Sequence, residues 1–145
     1  MIYLDYSANT PADERVLARF CAVERRCPGN ANSHHQAGLD AKAEIDHATQ
    51  TIARLLRVQP AEIIYTSGAS ESNNLALKGI AHASRHIGKH IISTQLEHSS
   101  VGASLSALQQ QGYEIDLLDI GRDGRVDLDQ LRELMRDDTI LVAVC

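Results

Sequence analysis

Strand and helix patterns alternate regularly over the second part of the chain, from residue 62 to residue 144. Short apolar runs recur between amphipathic segments, and glycine or small polar residues separate them. The predicted strands are residues 62–66, 90–94, 114–118 and 139–144, and the predicted helices are residues 71–84, 99–111 and 128–136. Strands that alternate with helices indicate a parallel sheet with right-handed crossovers. We therefore expect an α/β fold whose ligands bind beyond the carboxyl ends of the strands.

The first 60 residues have a different pattern, with two predicted helices joined by a loop. Thr10 is the predicted N-cap of a helix that continues to about Cys27, with Pro11 in its first turn. The second helix carries apolar residues on one face, namely Leu39, Ile45, Ala48, Ile52, Leu55 and Leu56. We expect residues 1–60 to form an N-terminal helical arm, and residues 61–145 the first, incomplete part of a larger α/β domain.

Composition narrows the class of protein. The chain has 145 residues, 43% of them hydrophobic, and 14 basic against 19 acidic side chains, so its net charge of -5 does not favour nucleic-acid binding. The first residues lack the pattern of an export signal, and no apolar run is long enough to cross a bilayer. Cys21, Cys27 and Cys145 form neither an even set nor a Cys-x-x-Cys pair. We expect a cytoplasmic protein with buried thiols that binds neither nucleic acid nor membrane.

A turn of small residues lies between the first predicted strand of the sheet and the helix that follows it. Gly68, Ala69 and Ser70 leave room for a ligand to approach the backbone, and the first N–H groups of a helix lack intrahelical partners. This pattern favours a phosphate site. The alternative is that Ser70 only caps the helix. The motifs typical of nucleoside triphosphate and dinucleotide loops are absent from the sequence.

His98 follows the next predicted strand, at the same edge of the sheet as Ser70. An imidazole at this edge can stack on a planar ligand and exchange a proton with it. The alternative is a histidine that only hydrogen-bonds within its loop. The phosphate-sized turn on the neighbouring strand–helix unit favours the functional interpretation, and the two residues are expected to face one cleft.

Two other groups of residues resemble metal ligands. His82, His86 and His90 recur every four residues, and the first two are expected to share one helical face, yet no complementary acidic or thiol ligand accompanies them. Residues 119–124 resemble the start of a calcium loop but are followed by no glutamate at the twelfth position. We interpret them as a tight turn, after which Asp127 caps a helix and Gln130 completes a capping box. No metal site is predicted.

Four motifs in order carry a resemblance to a known family. They are LDYSANTP (residues 4–11), GNANSH (29–34), TSGASESNNLALKG (66–79) and HIISTQLEH (90–98). Together they resemble the N-terminal part of a cysteine desulfurase, of the class-V aminotransferase group and pyridoxal-phosphate fold type I. The resemblance covers essentially the whole chain and implies a partial fold-type-I transferase, with a helical arm and a parallel βα sheet segment.

The resemblance also implies roles for individual residues. Gly68, Ala69 and Ser70 correspond to the family's Ser-Gly-Ala-Thr loop, which binds the phosphate of pyridoxal 5'-phosphate, with serine in place of threonine. His98 corresponds to the histidine that stacks on the pyridine ring and assists proton transfer. The family converts cysteine to alanine, works as a homodimer and passes sulfur to an acceptor or scaffold protein, which implies iron-sulfur cluster assembly.

The same resemblance places the Schiff-base lysine and the persulfide-forming cysteine beyond residue 145. Lys42, Lys78 and Lys89 are all poorly placed to substitute, and no cysteine of the chain is assigned as the nucleophile. We therefore expect the chain alone to be inactive. Alternatives are one half of a split enzyme that needs a partner chain, a remnant without catalysis, or another class-V enzyme such as a selenocysteine lyase.

Overall fold

The computed structural model describes residues 2–145, which form five α-helices, one short 3₁₀ helix and three strands. The helices are α1 (Glu14–Arg26), α2 (Gln36–Leu56), α3 (Ala69–Ala83), α4 (Ser99–Gln109) and α5 (Leu128–Leu134), the 3₁₀ helix is Pro60–Glu62, and the strands are β1 (His90–Thr94), β2 (Glu114–Leu118) and β3 (Thr139–Val142). The chain divides into two compact units, one ending at Ile64 and the other covering Tyr65–Cys145. No helix of residues 2–145 has both the length and the apolar character that crossing a membrane requires.

The first unit contains α1 and α2. Thr10 is not the N-cap of α1, because Asp13 takes that position and its carboxylate accepts the backbone N–H of Arg15 at 2.8 Å. The hydroxyl of Thr10 instead donates to the backbone carbonyl of Tyr6 at 3.3 Å. The helix ends at Arg26 with Cys27 as its C-cap, as predicted. Arg19 and Arg26 of α1 both form ion pairs with Glu44 of α2.

A backbone contact explains one glycine of the first unit. A Cβ on Gly29 would lie 2.2 Å from the carbonyl oxygen of Ala37, so the loop can approach the start of α2 only without a side chain there. The glycine of the 29–34 motif is therefore required by close packing of the backbone.

The second unit is built on a three-stranded parallel sheet in the order β2-β1-β3. All five residues of β1 are buried, because this strand lies in the centre of the sheet. The prediction of a parallel α/β sheet is confirmed. His90 at the start of β1 contacts both neighbouring strands: Nδ1 lies 2.7 Å from Thr139 Oγ1 and Nε2 lies 3.0 Å from Asp116 Oδ2.

Helices α3 and α4 contribute to the apolar core of the second unit. Its buried members are Ala81, Ile91, Leu105, Leu108 and Tyr113. Leu77 and Ala81 are one turn apart, and they are the buried residues of α3. The core therefore packs α3 and α4 against the central strand.

The predicted strand over residues 62–66 was wrong. Residue 62 ends the 3₁₀ helix, and the three-stranded sheet does not include residues 63–66. A β-branched apolar run favours an extended backbone, but a strand exists only when a neighbouring strand pairs with it. The last strand is also shorter than predicted, since it ends at Val142 instead of residue 144.

Three smaller predictions were also wrong. Cys21 and Cys145 are exposed and Cys27 is half-buried, so none of the thiols is buried. Helix α3 ends at Ala83, so His86 lies beyond it and does not share a helical face with His82. Asp127 does cap α5, as predicted, but Gln130 makes no capping box, because its side chain bonds Asp119 instead.

Candidate functional site

Helix α3 begins without a capping side chain. Gly68 is its N-cap residue. The first backbone hydrogen bond of the helix runs from the N–H of Ser72 to the carbonyl of Gly68, at 3.1 Å. Within the described chain, the N–H groups of Ala69, Ser70 and Glu71 have no acceptor. Ser70 therefore does not cap the helix, and three amides remain available to an anion.

Gly68 borders open space. A Cβ built on this residue would meet no atom within 4 Å, and its φ of 165° is extended backbone that any residue adopts. Glycine is therefore not required at this position for freedom at φ. What the glycine does provide is an unobstructed approach to the amides that follow it.

The turn before α3 is held by its own side chains. The carboxylate of Glu71 accepts both the backbone N–H and the hydroxyl of Ser67, each at 2.7 Å. The backbone N–H of Ser67, and then its hydroxyl, hold the pKa of Glu71 below its usual value. Thr66 Oγ1 lies 2.6 Å from Ser72 Oγ. These bonds fix the turn without using the three free amides.

His98 is the N-cap residue of α4. Its Nδ1 accepts the backbone N–H of Ser100 at 3.2 Å and lies 2.9 Å from the Ser100 hydroxyl oxygen. That hydroxyl oxygen also accepts a hydrogen bond from Nδ2 of Asn73, on α3, at 2.9 Å. One hydrogen-bond chain thus connects the helix of the phosphate turn to the imidazole.

Glu97 anchors the loop that leads to His98. Its Oε1 accepts the hydroxyl of Thr94, at the end of β1, and the backbone N–H of Cys145, after β3, each at 2.8 Å. The carboxylate therefore joins two neighbouring strands at their carboxyl ends, next to the candidate imidazole.

The two helices run side by side in the same direction. Asn73 and Ser100 join their first turns, whereas the hydroxyl of Tyr113, just after α4, donates to the carbonyl of Ala81 in the last turn of α3 at 2.8 Å. The N-termini of α3 and α4 therefore lie at the same end. The turn that contains Ser70 and the loop that contains His98 therefore lie at the same end of this helix pair.

Two lysines of the second unit make contacts of their own. Lys78 Nζ donates to Asn74 Oδ1 at 2.6 Å, and Lys89 Nζ lies 5.5 Å from the centre of the Tyr113 ring. Lys42 belongs to the first unit and pairs with Asp46 on α2. None of these contacts involves Gly68, Ser70 or His98.

A cleft of about 360 Å³ lies between α4 and β2. Its lining includes Glu97, Gly102, Leu105 and Leu117 but none of the predicted site residues. The cleft is therefore separate from the proposed phosphate turn.

Sequence reasoning missed Asn73 and Ser100. The available signals were weak: Asn73 lies one helical turn after Ser70, and Ser100 lies two residues after His98. The contact between them depends on how α3 packs against α4, and no local pattern records that.

Comparison with known proteins places this geometry in a family. The family model described as aminotransferase class-V matches residues 2–145. The chain belongs to the class-V aminotransferase family. Its helical first unit and parallel sheet agree with a partial fold-type-I arrangement.

The relatives are more specific than the family. The chain is 43% identical over 145 residues to cysteine desulfurase IscS of Vesicomyosocius okutanii and 43% identical over 146 residues to that of Vibrio cholerae. These alignments cover 98% and 99% of the chain but 36% of each relative. The chain therefore spans about a third of the length of the curated relatives it matches.

Solved structures agree. A NifS-like protein superposes with a TM-score of 0.92 and 34% identity, over 99% of this chain and 39% of that one. A protein described as SspA in complex with cysteine superposes with a TM-score of 0.86 and 33% identity, over 98% of this chain and 41% of that one. DndA from Streptomyces lividans superposes with a TM-score of 0.82 and 38% identity, over 99% of this chain and 40% of that one.

Proposed function

We propose that this chain contributes the phosphate-binding turn and the ring-stacking histidine of a pyridoxal-phosphate-dependent cysteine desulfurase. The observation that carries the proposal is the free N-terminus of α3, where three amides have no acceptor in the described chain and Gly68 leaves the approach open. The similarity to cysteine desulfurases supports the same conclusion.

The chemistry of the donors fits a phosphate. The amides of Ala69 and Ser70 and the Ser70 hydroxyl are neutral donors at the positive end of a helix dipole, which favours an anion. The one carboxylate in the turn, on Glu71, already accepts two hydrogen bonds from Ser67. These residues would hold the cofactor's phosphate, and His98 would lie against its ring.

The bound cofactor would supply an electron sink for negative charge that develops on the substrate. The contribution of this chain is binding and orientation, together with an imidazole that holds a proton. In the intact enzyme we propose conversion of cysteine to alanine, with sulfur passed on as a persulfide to an acceptor protein, and assembly as a homodimer. Within the described second unit, Lys78 and Lys89 make their contacts away from the phosphate turn, and we propose that the chain is inactive alone.

A matched pair of glycine substitutions tests the phosphate turn. Gly68→Ala places a methyl group in the open approach and is expected to weaken binding of pyridoxal phosphate, measured by equilibrium dialysis, without lowering stability. Gly79→Ala, in the same helix and equally free of contacts, is expected to leave binding unchanged and to raise stability by about 0.5–1 kcal/mol.

Ser70 gives a second test of the same site. Ser70→Ala removes one hydroxyl donor to a charged group and is expected to weaken binding about tenfold, whereas Ser70→Thr retains the hydroxyl and the affinity. Unchanged binding in both Gly68→Ala and Ser70→Ala would refute the proposed phosphate turn.

A second candidate function is that of one half of a split enzyme. Leu117 of β2 and Val142 of β3 are exposed apolar residues on the two outer strands, and the three-stranded sheet has no further strand beyond either of them among the described residues. Open strand edges favour pairing with another chain. Analytical ultracentrifugation of the isolated chain tests this, since a stable monomer that unfolds cooperatively would contradict a need for a partner.

A further inference from the structure

A chain of two hydrogen bonds leads from Asn73 on α3, through Ser100, to the ring of His98. The side-chain amide of Asn73 donates to Ser100 Oγ at 2.9 Å, and Ser100 Oγ lies 2.9 Å from His98 Nδ1. The backbone N–H of Ser100 donates to the same Nδ1 at 3.2 Å. Ser100 is buried and Asn73 is half-buried, whereas His98 itself is exposed. The exposed ring is thus held at one nitrogen by partners that are largely shielded from water.

The chemistry of these partners fixes the direction of each bond. The Nδ2 group of Asn73 and the backbone N–H of Ser100 can only donate. The Ser100 hydroxyl oxygen accepts from Asn73, which leaves its own proton free to bond Nδ1. His98 Nδ1 therefore accepts and carries no proton in this arrangement. A neutral imidazole has one N–H group, so that proton lies on Nε2.

We propose that Asn73 and Ser100 are positioning residues that hold His98 in the Nε2-protonated tautomer. The consequence for catalysis rests on the proposed function: Nε2, which makes no hydrogen bond in the described chain, is the nitrogen left to exchange a proton at the cofactor site. The tautomer itself is a property of this chain and requires no bound cofactor.

A purely structural role for His98, as the N-cap of α4, would require fewer hydrogen bonds. Capping of α4 needs only the bond from the Ser100 backbone N–H to Nδ1. The hydroxyl of Ser100 and the amide of Asn73 are dispensable for that bond. The two roles therefore differ in whether Asn73 controls the position of the ring proton.

The tautomer can be measured directly by two-bond ¹H–¹⁵N correlation spectra of the histidine rings in the 145-residue chain, at a pH where His98 is neutral. His98→Asn identifies the signals of His98 by their loss. We expect a pyridine-type ¹⁵N shift at Nδ1 and a pyrrole-type shift at Nε2. A protonated Nδ1 in the unsubstituted chain would overturn the proposal.

The substitution Asn73→Asp tests the hydrogen-bond chain from Asn73 through Ser100 to His98, and it changes the shape of the side chain very little. A carboxylate can only accept hydrogen bonds, so the Ser100 hydroxyl would donate its proton to the aspartate. The hydroxyl oxygen would then present a lone pair to Nδ1 of His98. The ratio of the Nδ1-protonated to the Nε2-protonated form is expected to rise about fivefold, the effect of one hydrogen bond. Ser100→Ala is expected to move the ratio in the same direction, which keeps the test available if Asn73→Asp fails to fold.

Two neighbouring substitutions serve as controls. Ser99→Ala changes a serine of the same helical turn whose hydroxyl makes no hydrogen bond within residues 2–145, and Ser100→Thr retains the hydroxyl; both should keep the tautomer. A ratio unaffected by Asn73→Asp and Ser100→Ala in folded protein would show that His98 is only a cap. These spectra need no cofactor. If dialysis showed that the turn does not bind pyridoxal phosphate, the measured tautomer of His98 would therefore still test this proposal.

Discussion

The hydroxyl of Tyr113 donates a hydrogen bond to the backbone carbonyl of Ala81 at 2.8 Å, and both residues are buried. The carbonyl belongs to the last turn of α3, where helix geometry leaves oxygens without intrahelical partners. The bond joins the end of α3 to the residue that enters β2 after α4. Together with the Asn73–Ser100 contact at the other end, it determines that α3 and α4 begin side by side.

Removal of the Tyr113 hydroxyl should therefore destabilise the second unit. Tyr113→Phe retains the ring in the core but leaves a buried carbonyl without a partner, and we expect the free energy of unfolding to fall by about 1–3 kcal/mol. Urea unfolding followed by circular dichroism measures this. Tyr6→Phe, which removes a hydroxyl on an exposed ring, should change the value by less than about 0.5 kcal/mol; similar losses in both variants would contradict the assignment.

Thr139 should stabilise the sheet through His90. Its hydroxyl lies 2.7 Å from Nδ1 of the fully buried imidazole and accepts the backbone N–H of Arg136 at 2.8 Å. Thr139→Val retains the shape and a β-branched side chain but leaves the ring nitrogen unpaired, so a loss of about 1–3 kcal/mol in unfolding free energy is expected. Thr10→Val, on an exposed threonine that does not cap α1, is the matched control and should be nearly neutral.

The turn before α3 should depend on pH through Glu71. Its pKa is lowered by the Ser67 backbone N–H and then by the Ser67 hydroxyl, so the carboxylate stabilises the turn above the usual glutamate pKa of about 4.3 and loses this effect as pH falls through the lower, folded-state pKa. Carboxyl ¹³C titration of Glu71 should give a midpoint below about 4.3. Ser67→Ala should raise the midpoint only part of the way, since the backbone bond remains, and Ser99→Ala should not move it. A midpoint at the usual glutamate value in the unsubstituted chain would contradict this prediction.

Glu97 should protect the backbone N–H of Cys145. The carboxylate oxygen that accepts this N–H also accepts the Thr94 hydroxyl. Glu97→Ala removes both bonds, and we expect amide hydrogen exchange at Cys145 to accelerate about fivefold, as for the loss of one hydrogen bond. Glu97→Gln keeps an acceptor oxygen and should retain most of the protection. Equal exchange in the alanine and glutamine variants would show that the contact does not form.

Most of the second unit could be predicted from the sequence because its patterns are local. The predicted strand over residues 90–94 is observed without change, and so is the predicted strand over residues 114–118. Asp127 caps α5 because a short acidic side chain before a helical pattern satisfies the nearest amides, a contact that spans only three residues. The proposed phosphate turn was recognisable for the same reason, since Gly68, Ala69 and Ser70 are consecutive.

The failures occurred where the outcome depends on a distant partner. Residues 62–66 have the composition of a strand but no place in the three-stranded sheet. Gln130 was expected to bond within its own helix turn, and it bonds Asp119 across the preceding loop instead. Asn73 and Ser100 are 27 residues apart in the chain and meet only because two helices pack in parallel.

The sequence by itself determined the family, the alternation of strands and helices, and the residues of the proposed phosphate turn, because these are properties of short segments and of motif order. Only the tertiary structure decided which amides at the start of α3 remain free and which nitrogen of His98 accepts a hydrogen bond. The first depends on how the turn before α3 uses its own side chains, and the second depends on donors and acceptors brought together by the packing of α3 against α4. Hydrogen bonds are directional and short-ranged, so their partners are known only once the chain has folded.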